Sequence, residues 1–174
     1  MIETVLETDR LLLTNWAPEH LDEVIALHSD PDVSRYLSAS GEPEDRQQAE
    51  ARLASWAKDF AAQRMGKLRV SLKQDGQFLG RAGFGIEPNG EPELGYAFLR
   101  RHWGNGYAIE AARGLRDWLF SKTDHDHFIG YADTRNAASL RILQAIGMTK
   151  THIAEELDGL TCQFHILRKA DWHG

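Results

Sequence analysis

Leu94-Gly95-Tyr96-Ala97-Phe98-Leu99-Arg100-Arg101-His102-Trp103-Gly104-Asn105-Gly106-Tyr107-Ala108 reads as a strand that runs into a short glycine-containing loop, and the loop opens a helix. Glycine reaches φ > 0 at no steric cost and lets the backbone come close to a ligand. The first N–H groups of a helix have no intrahelical partner and point outward at the positive end of its dipole. Together these features suit phosphate or pyrophosphate. A P-loop needs Gly-Lys-Ser/Thr, and here Gly106 is followed by Tyr107. A dinucleotide fingerprint needs a third small residue where Ile109 stands, inside a parallel βαβ unit. Both fail, and Arg101-x-x-Gly104-x-Gly106 remains.

Upstream of that segment, Arg10 to Trp16 is a short apolar run ended by Pro18 and reads as a strand. Leu21, Val24, Ile25 and Leu27 then follow at helical spacing up to Asp30-Pro31. Ser38 to Pro43 is a polar turn. From Glu44 to Arg64 the residues Ala49, Leu53, Trp56, Ala57 and Phe60 recur at three and four, which predicts an amphipathic helix with Gly66 as its C-cap. Leu68 to Lys73 and Phe78 to Ile86 flank Asp75-Gly76, a hairpin signal. Pro88-Asn89-Gly90 is a second turn, and Glu93 to Leu99 is the next strand of an antiparallel meander.

Downstream, Ala108 to Phe120 is helical through Ile109, Ala112, Leu115 and Leu119. His127 to Ala132 reads as a strand and Ala137 to Ile146 as a helix capped by Gly147. Met148 to Ile153 and Leu160 to Leu167 close the chain as a hairpin around Asp158-Gly159. The order is β-α-α-β-β-β-α-β-α-β-β, one mixed α/β domain over residues 1–174 with no repeat or linker.

Composition narrows the function classes. The 174 residues are 42% hydrophobic, enough for a core. The net charge of −6, with no dense Lys/Arg block, argues against nucleic acid and mildly favours a cationic substrate. No run approaches the roughly 18 to 20 apolar residues of a membrane span. The acidic start MIETVLETDR lacks a signal pattern, and Cys162 is the one cysteine, so a cytoplasmic setting is expected.

Arg101, Gly104 and Gly106 match the Gln/Arg-x-x-Gly-x-Gly/Ala cofactor motif of the GNAT superfamily of N-acetyltransferases, which this chain resembles from end to end. More narrowly it resembles the RimJ/RimL branch, which includes acetyltransferases of ribosomal-protein N-termini. The residues that carry this are Thr8-Asp9-Arg10-Leu11, Gly95-Tyr96, Trp103 to Ala111, Asn136-Ala137-Ala138-Ser139, Ile146-Gly147-Met148 and Leu167-Arg168-x-x-Asp171-Trp172. The resemblance implies a three-layer fold around a mostly antiparallel seven-stranded sheet. It implies acetyl-CoA as co-substrate and an amine as acceptor, foremost a protein N-terminal α-amine. A small-molecule amine and a non-catalytic acyl-CoA-binding module are the alternatives. Members of the branch are often dimers, so a homodimer is among the implied partners.

The resemblance also implies site roles. The pyrophosphate would lie on the loop Arg101, His102, Trp103, Gly104, Asn105, Gly106 and on the helix start at Tyr107. The pantetheine arm would run beside Ala97, Phe98 and Leu99, where an N–H near Phe98 or Leu99 would stabilise the developing oxyanion. Glu93 is the candidate base, acting directly or through a water, and a solvated strand-edge carboxylate is the plainer reading. His102 could take that role but reads as a rim residue near the phosphates. Many GNAT members protonate the departing thiolate with a tyrosine where this chain has Leu143. In the RimJ/RimL branch a serine is proposed, and Ser139 matches it. Asn136 matches the residue that bonds the pantetheine arm, and an asparagine there is equally a helix cap.

Other candidates carry less. His125 and His127 share a strand face without a third ligand, so no metal is expected and a solvated turn is the better reading. His165 either lines the cleft or stacks in the sheet. Glu155, Glu156 and Asp158 could attract an amine cation. Trp16, Trp56 and Trp118 read as core.

Overall fold

The computed structural model describes residues 1–156 and 159–174. Its centre is an eight-stranded sheet in the order β1-β2-β3-β4-β5-β6-β8-β7. The strands are β1 (Thr4–Glu7), β2 (Leu11–Thr14), β3 (Lys67–Leu72), β4 (Phe78–Ile86), β5 (Pro92–Phe98), β6 (His127–Asp133), β7 (Thr149–Glu155) and β8 (Thr161–Arg168). Neighbours are antiparallel except β5 and β6, which run parallel. Helices α1 (Leu21–His28), α2 (Pro31–Ser34) and α3 (Arg46–Gln63) lie on one face, and α4 (Tyr107–Lys122) and α5 (Ala137–Ala145) on the other. No helix among the described residues is long and apolar enough to cross a membrane.

The sheet has one strand more than the seven counted from the sequence. Thr4–Glu7 is only four residues long and pairs with β2 at the sheet edge. Its place is set by tertiary packing: a Cβ on Gly114 of α4 would come within 2.8 Å of Thr8 Cγ2, so glycine lets the N-terminal segment seat on that helix. The short α2 is also additional. Asp30 caps it by accepting from the Asp32 N–H at 2.9 Å, with Pro31 at its first position. The end of α3 differs as well. Arg64, not Gly66, takes the left-handed cap conformation at φ 55°.

Each layer buries a separate cluster. Phe84, Leu94, Leu115, Phe120, Phe128 and Leu143 anchor the core beneath α4 and α5. Trp16, Leu27, Leu53, Trp56, Phe78, Ala97 and Leu99 fill the space beneath α1–α3, with Trp16 stacked on Trp56 at 5.1 Å. Trp16 and Trp56 are buried as expected, while Trp118 is only half-buried against the first cluster.

The feature that positions the site is the weak seam between β5 and β6. They share only the register pairs Glu93↔Ile129 and Leu94↔Gly130. Beyond them Tyr96, Ala97 and Phe98 face an opening rather than a neighbouring strand, and Tyr131, Ala132 and Asp133 border it from β6.

Beneath α3, His28 is 1% exposed, and burial pushes its pKa down to about 2, aided by Arg81 and Arg52. Glu44 lies 3.7 Å from its Nδ1, but its Nε2 has no partner, so the neutral ring is favoured. The unfolded chain protonates this residue below about pH 6.5 and the folded chain does not. Its contribution to stability is therefore complete above that pH and is lost as the pH falls. Between pH 6.5 and 5 the expected loss is about 2 kcal/mol. Denaturant titrations at both pH values check this, and His28→Leu should remove about that much of the pH dependence.

Candidate active site

At the β5–α4 junction a turn of 3₁₀ helix, Arg100–His102, leads into the glycine loop. Gly104 and Gly106 adopt φ 81° and 77°, conformations in which a side chain is strained, and Gly106 serves as the N-cap of α4. Asn105 holds the loop by donating from Nδ2 to the carbonyls of His102 and Trp103 at 3.1 and 3.3 Å. None of the N–H groups from Gly104 to Ile109 finds an acceptor among the described residues; the helix ladder begins with Glu110 N–H to Gly106 O. Such a run of free donors at a helix start is an anion cradle.

A brace that the sequence reading missed holds the cradle from below. Glu110 accepts from the Thr8 hydroxyl at 2.6 Å, the Arg10 N–H at 2.8 Å and Arg10 Nε at 2.6 Å. Arg10 also donates to Asn105 O at 3.0 Å and lies over the Tyr107 ring at 4.6 Å. These bonds hold the Glu110 carboxyl below the ordinary range despite the opposing effect of burial.

A second cavity, of about 420 Å³, continues from Trp103 and Gly104 along Ala97 and Phe98 to Asn136–Ser139. Leu99 is buried, and its N–H is already bonded to Leu79 O at 2.9 Å. Strand alternation therefore aims the Phe98 N–H at the opening, which leaves Phe98 rather than Leu99 as the free donor there. The Phe98 carbonyl accepts from the Trp103 indole at 2.8 Å, so a cofactor arm along β5 meets a donor but finds that acceptor engaged. His102 is turned away onto the Tyr107 ring at 6.5 Å and does not border the cavities. Arg101 is exposed and makes no bond among the described residues.

Asn136 does cap α5, accepting from the Ser139 N–H at 3.2 Å, and it borders the cleft at the same time. Ser139 Oγ lies 3.1 Å from the Tyr96 hydroxyl, which also donates to Ser139 O at 3.1 Å. Burial pushes the Tyr96 phenol above its usual pKa, and the bond to Ser139 partly opposes this. Leu143, at the position where the GNAT resemblance led to an expectation of tyrosine, is buried at the cleft wall. Tyr96 thus brings a phenol to Ser139 from the strand instead of the helix. Its position was legible only as part of the Gly95-Tyr96 match.

A third region, a cavity of about 210 Å³, lies at the seam between β5 and β6, bordered by Tyr36, Lys67, Arg81, Glu93, Tyr131 and Glu156 among others. Glu93 is not a solvated edge carboxylate. Its Oε2 accepts from Lys67 Nζ at 2.9 Å, and the two side chains are 13% and 14% exposed. Lys67 also donates to Gly83 O and Glu93 O at 3.2 and 3.3 Å. It reaches there because Gly95 lacks a Cβ, which would collide with the ammonium. Burial pushes Lys67 below the lysine range, which Glu93 partly offsets and Arg81 reinforces. Glu93 Oε1 accepts no hydrogen bond among the described residues. Neither Lys67 nor Arg81 carried a signal in the sequence, because register alone brings them to Glu93.

The remaining candidates resolve individually. His127 is held between Asp126 at 2.6 Å and Glu91 at 2.9 Å, which raise its pKa, so it is an ion-paired strand residue and not a solvated one. No group of three or more His, Cys, Asp or Glu able to hold a metal occurs among the described residues. His165 is fully buried, with neither ring nitrogen partnered. Glu155 is exposed, Glu156 borders the third cavity, and Asp158 lies outside the described residues.

With this geometry in place, comparison with known proteins is informative. The family described as Acetyltransferase (GNAT) domain matches residues 10–149. The uncharacterized protein YkkB of Bacillus subtilis (strain 168) is 38% identical over 157 residues, 84% of this chain and 86% of that protein. The crystal structure of an acetyltransferase from Agrobacterium tumefaciens superposes with a TM-score of 0.82 at 26% identity, covering 97% of this chain and 95% of the other. RimL, a ribosomal α-N-protein acetyltransferase solved with coenzyme A, superposes with a TM-score of 0.81 at 14% identity, over 95% of this chain and 98% of its own. That last likeness speaks to fold alone.

Proposed function

This chain belongs to the GNAT acetyltransferase family and is an acyltransferase, and from that premise we propose that it moves the acetyl group of acetyl-CoA onto an α-amine by direct attack on the thioester. The observation that carries the reading is the continuity of the free N–H cradle at Gly104–Ile109 with the β5–β6 opening and the cavity at Glu93. Residues 1–174 act as one acetyltransferase domain.

Acetyl-CoA supplies an activated acyl group, and the chain supplies its placement. The N–H groups of Gly104 to Ile109 would hold the pyrophosphate, and Ala97, Phe98 and Asn136 would flank the pantetheine arm. The Phe98 N–H is available to an acyl oxygen in the opening. Glu93 Oε1 is the acceptor for the amine's proton, directly or through a water.

A peptide α-amine with a pKa near 8 is about one-tenth neutral at pH 7, whereas lysine is neutral in only about one copy in two thousand. With one oxygen of Glu93 committed to Lys67, the site favours an amine that needs little help. The RimJ/RimL resemblance supports a protein N-terminus as that amine. A buried arginine supports a compact acid-bearing amine, argued below. The test is CoA thiol release with peptides beginning in Ser, Ala, Thr or Met, with free amino acids, and with N-blocked peptides whose only amine is lysine. Release from peptide α-amines at pH 7 should exceed that from lysine by about 10-fold or more; equal or faster lysine acetylation would overturn the preference.

Ser139, backed by Tyr96, is the proton donor for the departing thiolate. A thiol of pKa about 8.5 leaves fairly well unaided, so Tyr96→Phe and Ser139→Ala should each lower kcat only about 10-fold at pH 7. The KM for the amine should stay unchanged. Steady-state rates from pH 6 to 9 check this, with the deficit shrinking as the pH approaches the thiol's own pKa.

A further inference from the structure

We propose that Arg81 is a specificity residue for an acid group on the acceptor, so that the acceptor is a compact amine carrying a carboxylate, an α-amino acid in class. This deepens the acetyl-transfer reading and rests on it. Arg81 is on β4, opposite Ala97 of β5, and its side chain enters the same cavity as Glu93. The residue is 8% exposed, and its Nε has no hydrogen-bond partner. No carboxylate lies within ion-pair distance of it among the described residues: the Trp56 ring stands 5.5 Å away, and Glu93 and Glu44 act on it only at longer range.

The two carboxylates that act on Arg81 from a distance each hold another cation. Glu44 is bonded to Arg52 and Glu93 to Lys67. The chain does pair its other half-buried arginines in this layer. Arg69, directly across from Arg81 on β3, makes two parallel bonds to Glu23 at 2.6 and 2.7 Å. Arg81 alone of the two is left without a counter-ion. Burial, together with Arg52, pushes its pKa down to about 10, so it remains cationic at neutral pH.

A buried guanidinium without an anion is costly, and a carboxylate entering the cavity relieves that cost through two parallel N–H···O bonds. The same cavity presents Glu93, whose Oε1 accepts no hydrogen bond among the described residues while Oε2 is held by Lys67. Its wall therefore carries a cationic point for an acid group at Arg81 and an acceptor for an amine at Glu93 Oε1, the pattern that matches a zwitterion. Its volume of about 210 Å³ is below the roughly 300 Å³ at which drug-sized pockets begin, which suits a small acceptor. In the reaction the free-base amine forms the C–N bond to the acetyl carbon as the C–S bond breaks. The amine gives up one proton and the thiolate takes one, leaving an N-acetyl amino acid and CoA thiol.

The test compares the twenty L-amino acids with their C-terminal amides as acceptors, by CoA release, in the wild-type protein, Arg81→Gln and Arg81→Lys. At least one amino acid should exceed its own amide in kcat/KM by about 100-fold in the wild type. Arg81→Gln should bring that ratio to one or below through the KM of the amino acid, since the amide carries more free-base amine at the same pH, with the KM of acetyl-CoA unchanged. Its thermal midpoint should be equal to or above the wild type's, since an uncompensated charge has left the interior. Arg81→Lys should retain part of the ratio. The wild-type ratio needs no variant to fold. Amides matching or exceeding their acids overturns the assignment, as does a ratio preserved in Arg81→Gln. Release from peptide N-termini with every free amino acid inert overturns it too and leaves the acetyl-transfer reading standing. That reading fails separately, and this assignment with it, if acetyl-CoA neither raises the thermal midpoint nor releases thiol with any amine.

Discussion

Gly106→Val is expected to raise the KM for acetyl-CoA by about 10- to 100-fold while leaving the protein folded. Gly106 sits at φ 77° as the N-cap of α4, where no side chain provides a capping bond. A β-branched residue there costs about 1 to 3 kcal/mol of backbone strain. The exposed loop can escape that strain by rotating its peptides, whereas α4 cannot move because Ala111, Ala112, Leu115, Leu119 and Phe120 are buried. Rotation turns the free N–H groups of the loop away from a common point. The effect should therefore fall on cofactor binding and spare the fold. Initial rates against acetyl-CoA, with the acetyl-CoA-induced rise in thermal midpoint as a binding readout, check it. An unchanged KM would mean that the cradle does not hold the cofactor.

Glu93→Gln carries the other large effect, and it acts on two properties. It leaves the Lys67 ammonium buried without its carboxylate, which should cost about 3 kcal/mol of stability at pH 7. The loss shrinks as the pH rises, because Lys67, already pushed below the lysine range, sheds its proton in the folded state before it does so in the unfolded chain. The same substitution removes the proton acceptor and should lower kcat by about 100-fold or more with α-amines. Lys67→Met combined with Glu93→Gln separates the two. The double variant should recover most of the stability and none of kcat. Recovery of kcat with stability would make Glu93 a structural partner of Lys67 and nothing more.

The unequal legibility of the two halves of the site has a physical cause. The cofactor side is local in sequence: strand, glycine loop and helix start occupy Leu94 to Ala108 without interruption, and each step has a backbone reason visible in residue type. Asn136 was legible for the same reason, as a cap that also borders the cleft. The acceptor side is assembled by register. Lys67, Arg81, Glu93 and Tyr131 come from four strands, and no spacing along the chain announces that they meet. Glu93 was visible as a carboxylate but its tie to Lys67 was not, since that tie depends on the missing Cβ of Gly95. His102 belongs to the loop by sequence, yet its ring stands edge-on to Tyr107 and near the Phe78 backbone, away from the cavities. The Thr4–Glu7 strand escaped notice because four residues without flanking turn signals carry too little pattern, and its register is imposed by β2 and α4.

The central claim is transfer of an acetyl group from acetyl-CoA to an amine at Glu93. It is tested most directly by following an isotopic label in the acetyl group by mass spectrometry, alongside thiol release, with a panel of α-amines. The account predicts that the label appears on the amine nitrogen of an acceptor, one acetyl group for each thiol released, and that both are lost together in Glu93→Gln. Acetyl-CoA that binds but passes its label to no amine, or passes it only to water, would contradict it.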